Sequence, residues 1–282
     1  MPELPEVEIL ARHLRPLLCG KKIRQLKVFR SRVTRPTPPA KLEKVLAGAT
    51  FKNLTRRGKY LLFEFQQKSS KKNLTVLGHL GMTGRMFAAL KSEPLPTHTA
   101  IVADLGNLNF VYEDFRYFGR MTLDLSSIQN LGPEPLDKNF PLENFTQSLK
   151  NSRQPIKVKL LDQSLIAGIG NIYASEALFR ARISPKLPSN QLKPAQIKTL
   201  LRAVREVLNQ AIKSRSTVPL KTMSGKSDAL FYFSDDGEGY YEKRLRVYDR
   251  AGKPCLNCGT KIVRITQASR STYFCSRCQR TP

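Results

Sequence analysis

The chain has 282 residues, 40 % of them hydrophobic and 25 % charged, enough apolar matter for two compact cores and a composition that excludes wholesale disorder. No apolar run approaches the roughly 20 residues of a membrane span, and the acidic start lacks the basic-then-apolar order of a secretory signal, so a cytoplasmic protein with no membrane partner is expected, nucleoid-associated and, as a separate expectation, a monomer. Forty-eight Lys and Arg against 22 Asp and Glu give a net charge of +26, which points to a nucleic-acid partner, with a ribosome-associated protein or an anionic membrane surface as alternatives.

The first stretch reads "MPELPEVE". If Met1 is removed, Pro2 presents a free secondary amine and Glu3 sets a carboxylate beside it. The plainer reading is a rigid start that caps a helix beginning near Glu6. Residues 6–18 carry Val7, Leu10, Leu14, Leu17 and Leu18 at helical spacing, with Gly20 as the stop. From about 23 to 125 the character is strand-like. "YLLFEF", "LTVLGHL", "TAIVADL", "LNFVYE" and "RMTLDL" are short β-branched or aromatic runs between turn residues. With no helix-length periodic segment among them, they predict an antiparallel sandwich or barrel.

Residues 130–143, "NLGPEPLDKNFPLE", read as an interdomain linker. In "VKLLDQSLIAGIGNIYASEALFRA" a helical run breaks at Gly168-Ile169-Gly170, and a second opens at Asn171, a preferred N-cap residue. A helix start beside glycines is a natural phosphate seat; an ordinary helix–turn–helix corner is the competing reading. Ile197, Leu200, Leu201, Val204, Leu208, Ala211 and Ile212 then form one stripe behind Pro194. The irregular 214–253 predicts a long loop.

Four of the five cysteines fall in the last 28 residues as Cys255-x-x-Cys258 and Cys275-x-x-Cys278, with 16 residues between the pairs. This is the spacing of a closed tetrahedral structural zinc site. Two disulfides are the alternative, disfavoured in a reducing compartment. Between the pairs, "KIVRIT" and "STYF" alternate as two strands of a hairpin carrying Lys261, Arg264, Arg270 and, beyond it, Arg277. Cys19 stands alone and reads as a small buried apolar residue.

In order along the chain, "MPELPEVE", "RRGKYLL" (56–62), "GHLGMTGR" (78–85), "RYFG" (116–119), "GIGNIYASEALF" (168–179) and the four-cysteine hairpin resemble the bacterial formamidopyrimidine-DNA glycosylases, a superfamily shared with endonuclease VIII. The resemblance covers nearly the whole chain. It implies an α+β protein with an N-terminal antiparallel β-sandwich domain (1–130) flanked by helices and a linker (131–143). A helix–two-turn–helix DNA-binding domain (144–225), a lesion-capping loop region (226–253) and a zinc-binding β-hairpin (254–282) follow, with DNA held between the halves. The implied activity is excision of oxidised purines, 8-oxoguanine and formamidopyrimidines, from duplex DNA, followed by strand cleavage at the abasic site.

By the same resemblance Pro2 is the nucleophile, Glu3 its acid/base partner, Lys59 the catalytic lysine of the "RRGKY" turn and Glu6 a supporting carboxylate. Given that implied role, the choice of Pro2 has a physical reason. An α-amine titrates near 8 and a lysine near 10.4, so at neutral pH the terminal amine is unprotonated about a hundred times more often. Only that form can attack C1′, and a secondary amine then yields an iminium that holds its charge as an electron sink. Met82, Arg116 and Phe118 are implied as the wedge that fills the hole left by an extruded nucleotide. Lys157, Asn171 and Arg270 are implied as phosphate contacts, His98 as a further DNA-facing residue in "LPTHTAIV", and Lys221 as the lysine of the capping loop.

Two rivals remain at this point. One is an endonuclease VIII-like enzyme for oxidised pyrimidines, against which Leu4, Met82 and Phe118 argue. The other is a non-catalytic zinc-containing nucleic-acid-binding module, in which Pro2 has no role.

Overall fold

The computed structural model describes residues 2–67, 73–214 and 245–280. The described residues form two compact units. Glu6–Gln129 builds the first, and Asn130 onward, together with Glu3–Pro5, builds the second.

From Glu6 onward the first unit holds α1 (Leu4–Leu18), which ends two residues before Gly20, whose φ of 82° only glycine adopts freely. Eight strands follow: β1 (Gln25–Val28), β2 (Thr50–Arg57), β3 (Tyr60–Gln66), β4 (Asn73–His79), β5 (Gly84–Leu90), β6 (Thr99–Asp104), β7 (Leu108–Asp114) and β8 (Arg120–Thr122). They make two four-stranded antiparallel sheets, ordered β1-β6-β7-β5 and β2-β3-β4-β8. Alternation along β3 sends Leu61, Phe63 and Phe65 inward. The Phe63 and Phe110 rings, one from each sheet, meet edge-on at 5.6 Å. One core therefore lies between two sheets, with Val7, Leu10 and Leu14 of α1 added to it. The sandwich expected from the resemblance is present.

Sequence patterning missed α2 (Pro39–Leu46), and the expectation of no helix-length segment between 23 and 125 was wrong. "PTPP" reads as a turn, yet proline at the start of a helix costs no hydrogen bond. Two turns need only Leu42 and Leu46 as buried anchors.

A short helix, α3 (Ser126–Gln129), precedes the second unit. There α4 (Leu142–Lys150), α5 (Ile156–Lys159), α6 (Asn171–Arg180) and α7 (Pro194–Lys213) pack around Leu149, Ile156, Tyr173, Leu200 and Val204. Helix α7 follows the expected stripe. The helical run expected before Gly168 shrinks to the four residues of α5. Asp162 turns the chain there by accepting from the backbone N–H and hydroxyl of Ser164, and Gln163 ties Gly168 and Ile169. Such local side-chain bonds compete with helix. The hairpin of β9 (Val263–Gln267) and β10 (Arg270–Phe274) turns through Ala268 and Ser269, both at positive φ. The expected lysine of the capping loop, Lys221, and residues 226–244 of that loop lie outside the described residues. Among the described residues no helix is long and apolar enough to cross a membrane.

Candidate functional site

In the second unit the site is built on residue 3. The Glu3 carboxylate, 2 % exposed, accepts from the backbone N–H groups of Gly170 (2.8 Å), Ile172 (2.9 Å) and Tyr173 (3.3 Å). It thus supplies the N-terminal cap of α6 from more than 160 residues away, satisfying amides that a helix start leaves without partners. Two sequence expectations are corrected here. Asn171 is not the cap: the cap position is Gly170, and no side chain of its own caps the helix. Nor is this helix start an open phosphate seat, because Glu3 fills it. The glycines serve the same contact. A Cβ on Gly170 would stand 2.3 Å from Glu3 Cδ, and one on Gly168 (φ 85°) would stand 2.7 Å from Leu4 Cβ.

Freed from capping, Asn171 accepts a hydrogen bond from Lys157 Nζ through Oδ1 and donates through Nδ2 to Ser271 O at 2.9 Å. Lys157 is fully buried. Burial first, then the Arg270 guanidinium, push its pKa down to about 8, against an opposing pull from Glu3. Arg270 is exposed at the start of β10. Glu176 of α6, which sequence reasoning did not single out, accepts from the amides of Arg246, Val247 and Tyr248 at 2.8–2.9 Å and so pins the chain entering the hairpin.

In the first unit Pro2 is buried. Glu6 is 1 % exposed in the first turn of α1. Lys59 sits in the β2–β3 turn beside Gly58 (φ 57°) and is only 8 % exposed, unlike a solvated turn lysine. Opposite Tyr60 in the register stands His79, their rings 4.7 Å apart. Burial, then Lys59 and Arg120, drive the His79 pKa down to about 4, outweighing Asp114. Its Nδ1 accepts from Gly81 N–H at 3.1 Å, which shapes the turn carrying Met82.

Met82 is 42 % exposed and Phe118 44 %. Their two turns adjoin: a Cβ on Gly81 would lie 2.6 Å from Phe118 C and Gly119 N. The Arg116 guanidinium lies 4.6 Å from the Phe118 ring centroid. Both turns are tied to Asp114, which is fully buried. Its carboxylate accepts from Thr83 Oγ1 (2.8 Å), Arg116 N–H (3.2 Å), Gly119 N–H (2.8 Å) and Tyr112 O–H (3.5 Å). Sequence reading passed over Asp114, although an Asp at a strand end before a turn was the available signal. His98 is half-buried and meets the Phe115 ring edge-on at 4.6 Å. Cys19 is half-buried rather than buried.

The Sγ atoms of Cys255, Cys258, Cys275 and Cys278 all lie within 4.8 Å of one another. Zinc–thiolate bonds of about 2.3 Å place sulfurs about 3.8 Å apart at the corners of a tetrahedron. The Cys255–Cys278 and Cys258–Cys275 separations, 4.0 and 3.4 Å, bracket that value. Asn257 donates to two of the sulfurs, from N to Cys255 and from Nδ2 to Cys278, each at 3.4 Å. The set fits one structural zinc and leaves no position open for chemistry.

A sandwich, a helical unit and a four-thiolate hairpin in this order define a zinc-stapled protein of the helix–two-turn–helix class. Within it the chain belongs to the formamidopyrimidine-DNA glycosylase family. Residues 1–121 match that family's N-terminal domain, 131–222 its H2TH domain, and 252–281 the zinc finger found in FPG and IleRS. It is 37 % identical over 287 residues to the formamidopyrimidine-DNA glycosylase of Ligilactobacillus salivarius and 38 % over 288 to that of Pelotomaculum thermopropionicum, with 99 % of each chain covered. Among solved structures it resembles the Lactococcus lactis Fpg bound to DNA containing N7-benzyl-Fapy-dG (TM-score 0.87, 32 % identity) and to abasic-site DNA (0.85, 31 %). A further complex of the same protein holds DNA with an oxidised pyrimidine (0.86, 32 %). In all three, 99 % of this chain and all of the other are covered.

Proposed function

We propose that this protein excises oxidised purines, 8-oxoguanine and formamidopyrimidines, from duplex DNA and then cleaves the strand at the abasic site. The observation that carries the reading is the anchoring of Glu3 by three backbone amides at the start of α6, one of them from its cap residue Gly170, which fixes the residue next to Pro2 at the front of the chain. A terminal amine tethered this way has its position set by the fold rather than by a free tail.

With Met1 removed, the neutral Pro2 nitrogen attacks C1′. The base leaves C1′ with a proton; the Pro2 nitrogen then gives up its N–H proton as the C1′–O4′ bond breaks and O4′ departs as a hydroxyl, so the bond to the ring-opened C1′ becomes an iminium. Having no N–H proton to lose, the iminium keeps its charge and acidifies C2′. Loss of that proton expels the 3′ phosphate, and a second elimination expels the 5′ phosphate, leaving a one-nucleotide gap. Glu3 moves protons at the sugar, Lys59 holds a backbone phosphate and assists protonation, and Glu6 supports the terminus. Met82, Arg116 and Phe118 fill the gap in the stack, with Arg116 facing the orphaned base. Asn171 and Arg270 hold phosphates, with Lys157 bracing Asn171 from behind. The sandwich domain (1–130) carries the chemistry, and the helix–two-turn–helix domain (144–225) and zinc finger (254–282) grip the duplex.

Borohydride reduction during turnover of an 8-oxoguanine duplex tests this. We expect a covalent adduct that maps to Pro2; no adduct, or one mapping to a lysine, defeats the proposal. A parallel thymine-glycol duplex measures oxidised pyrimidines as a second substrate class, a reading favoured by the pyrimidine-containing Lactococcus lactis complex.

A further inference from the structure

Phe115 is the most exposed large apolar side chain among the described residues, at 63 %. Leaving a phenyl ring in water forgoes the gain of burying it. The ring is nevertheless held. His98 packs against it edge-on, at 85° between planes, and Asp114 N–H donates to His98 O at 3.1 Å. On the other side Arg116 N–H is fixed by Asp114 and Thr83. Phe115 is therefore a preorganised exposed aromatic face directly preceding Arg116, on the turn that also presents Phe118. Of the six exposed large apolar residues among the described residues, Met82, Phe115 and Phe118 fall on these two adjoining turns. Arg32 and Arg116 flank them, with guanidinium carbons 6.0 and 4.6 Å from the Phe118 ring centroid. Rigid aromatic faces among cations are how proteins take nucleobases.

We propose that Phe115, steadied by His98, stacks on a nucleobase of the undamaged strand next to the orphaned base. The inference rests on the proposed wedge reading. Arg116 there faces a base of the undamaged strand, and consecutive Cα atoms are only about 3.8 Å apart, so the preceding ring reaches that base's neighbour. Phe118 serves the kinked step itself. Phe115 thus sets how firmly the undamaged strand is held, and with it the enzyme's sensitivity to what lies opposite the lesion.

The test uses the full, zinc-loaded chain and a duplex carrying a tetrahydrofuran abasic analogue opposite cytosine. 2-Aminopurine flanks that cytosine. The chain has no Trp, so the probe is read without interference. We expect Phe115→Ala to reduce the binding-induced fluorescence change, leaving only the part due to the Phe118 kink, and to weaken duplex binding about 5- to 100-fold, the range for truncating a stacked aromatic. Phe115→Tyr should keep both, and binding to single-stranded abasic DNA should not change in either variant. Wild-type signal and affinity in Phe115→Ala, or equal weakening on single and double strands, overturns the inference. Failure of the wild type to form the borohydride adduct would instead sink the underlying functional reading.

Discussion

Asp114 shows how much one side chain can organise. Four donors converge on a carboxylate with no exposure, and hydrogen bonds to a charged group are worth roughly 1.5–3 kcal/mol each when buried. Asp114→Asn keeps the shape but turns one acceptor into a donor aimed at N–H groups. We expect it to lower unfolding free energy by about 2–3 kcal/mol in urea titrations and to weaken abasic-duplex binding by loosening both turns. Unchanged stability would show that the carboxylate is dispensable. His79 makes a pH prediction. Its native pKa of about 4 lies below the ordinary 6.5, so as pH falls the unfolded chain takes the proton first. The stabilisation is complete above 6.5 and drains away between 6.5 and 4, about 3 kcal/mol in all at 1.36 kcal/mol per pH unit. His79→Gln should flatten that part of the stability profile; a profile as steep as the wild type's would refute the assignment. The four cysteines were legible because their spacing is itself the chemistry. Asp114 offered only the local signal of an aspartate closing a strand before a turn, because Thr83 stands 31 residues away in sequence; His79 offered none, because Lys59, Asp114 and Arg120 reach it from other elements.

Among the elements, α6 joins sequence and chemistry most tightly. Its hydrophobic period and start were readable from the chain, but its cap was not, since no local pattern reveals a carboxylate arriving from residue 3. A capping side chain contributes about 0.5–2 kcal/mol, and the positive end of the helix adds to that for a carboxylate. Glu3→Ala is therefore expected to lower thermal stability measurably as well as activity, whereas Glu3→Gln, which keeps an acceptor oxygen, should recover part of the stability and little of the turnover. Calorimetry beside single-turnover assays checks the split. Equal melting temperatures for wild type and Glu3→Ala would mean that the cap carries no weight. The same limit of local reading explains α5 and α2. The run "VKLLDQSL" has helical period, but Asp162 and Gln163 spend their side chains on the backbone, while the prolines before α2 hide a helix that needs only two buried anchors.

At the scale of the whole molecule, composition points to a polyanion partner without saying where it would be held. The hairpin has a small core of Val247, Cys255, Ile262, Tyr273 and Cys275, too little to fold unaided at this size, so chelating its zinc should unfold it. Because Ser271 O holds Asn171 and Gln267 Nε2 donates to Pro185 O, DNA affinity should fall with it and return on adding zinc. The net charge of +26 bears on the salt dependence of that affinity. Each neutralised phosphate adds about −0.9 to the slope of log K against log salt. Arg270 is exposed at the hairpin end, so Arg270→Ala should reduce the slope by about one phosphate's share. Lys157 is buried behind Asn171. Lys157→Met should lower affinity through the loosened asparagine while leaving the slope as it was. A slope change equal to that of Arg270→Ala would instead mean that Lys157 leaves its buried position on binding and meets a phosphate directly.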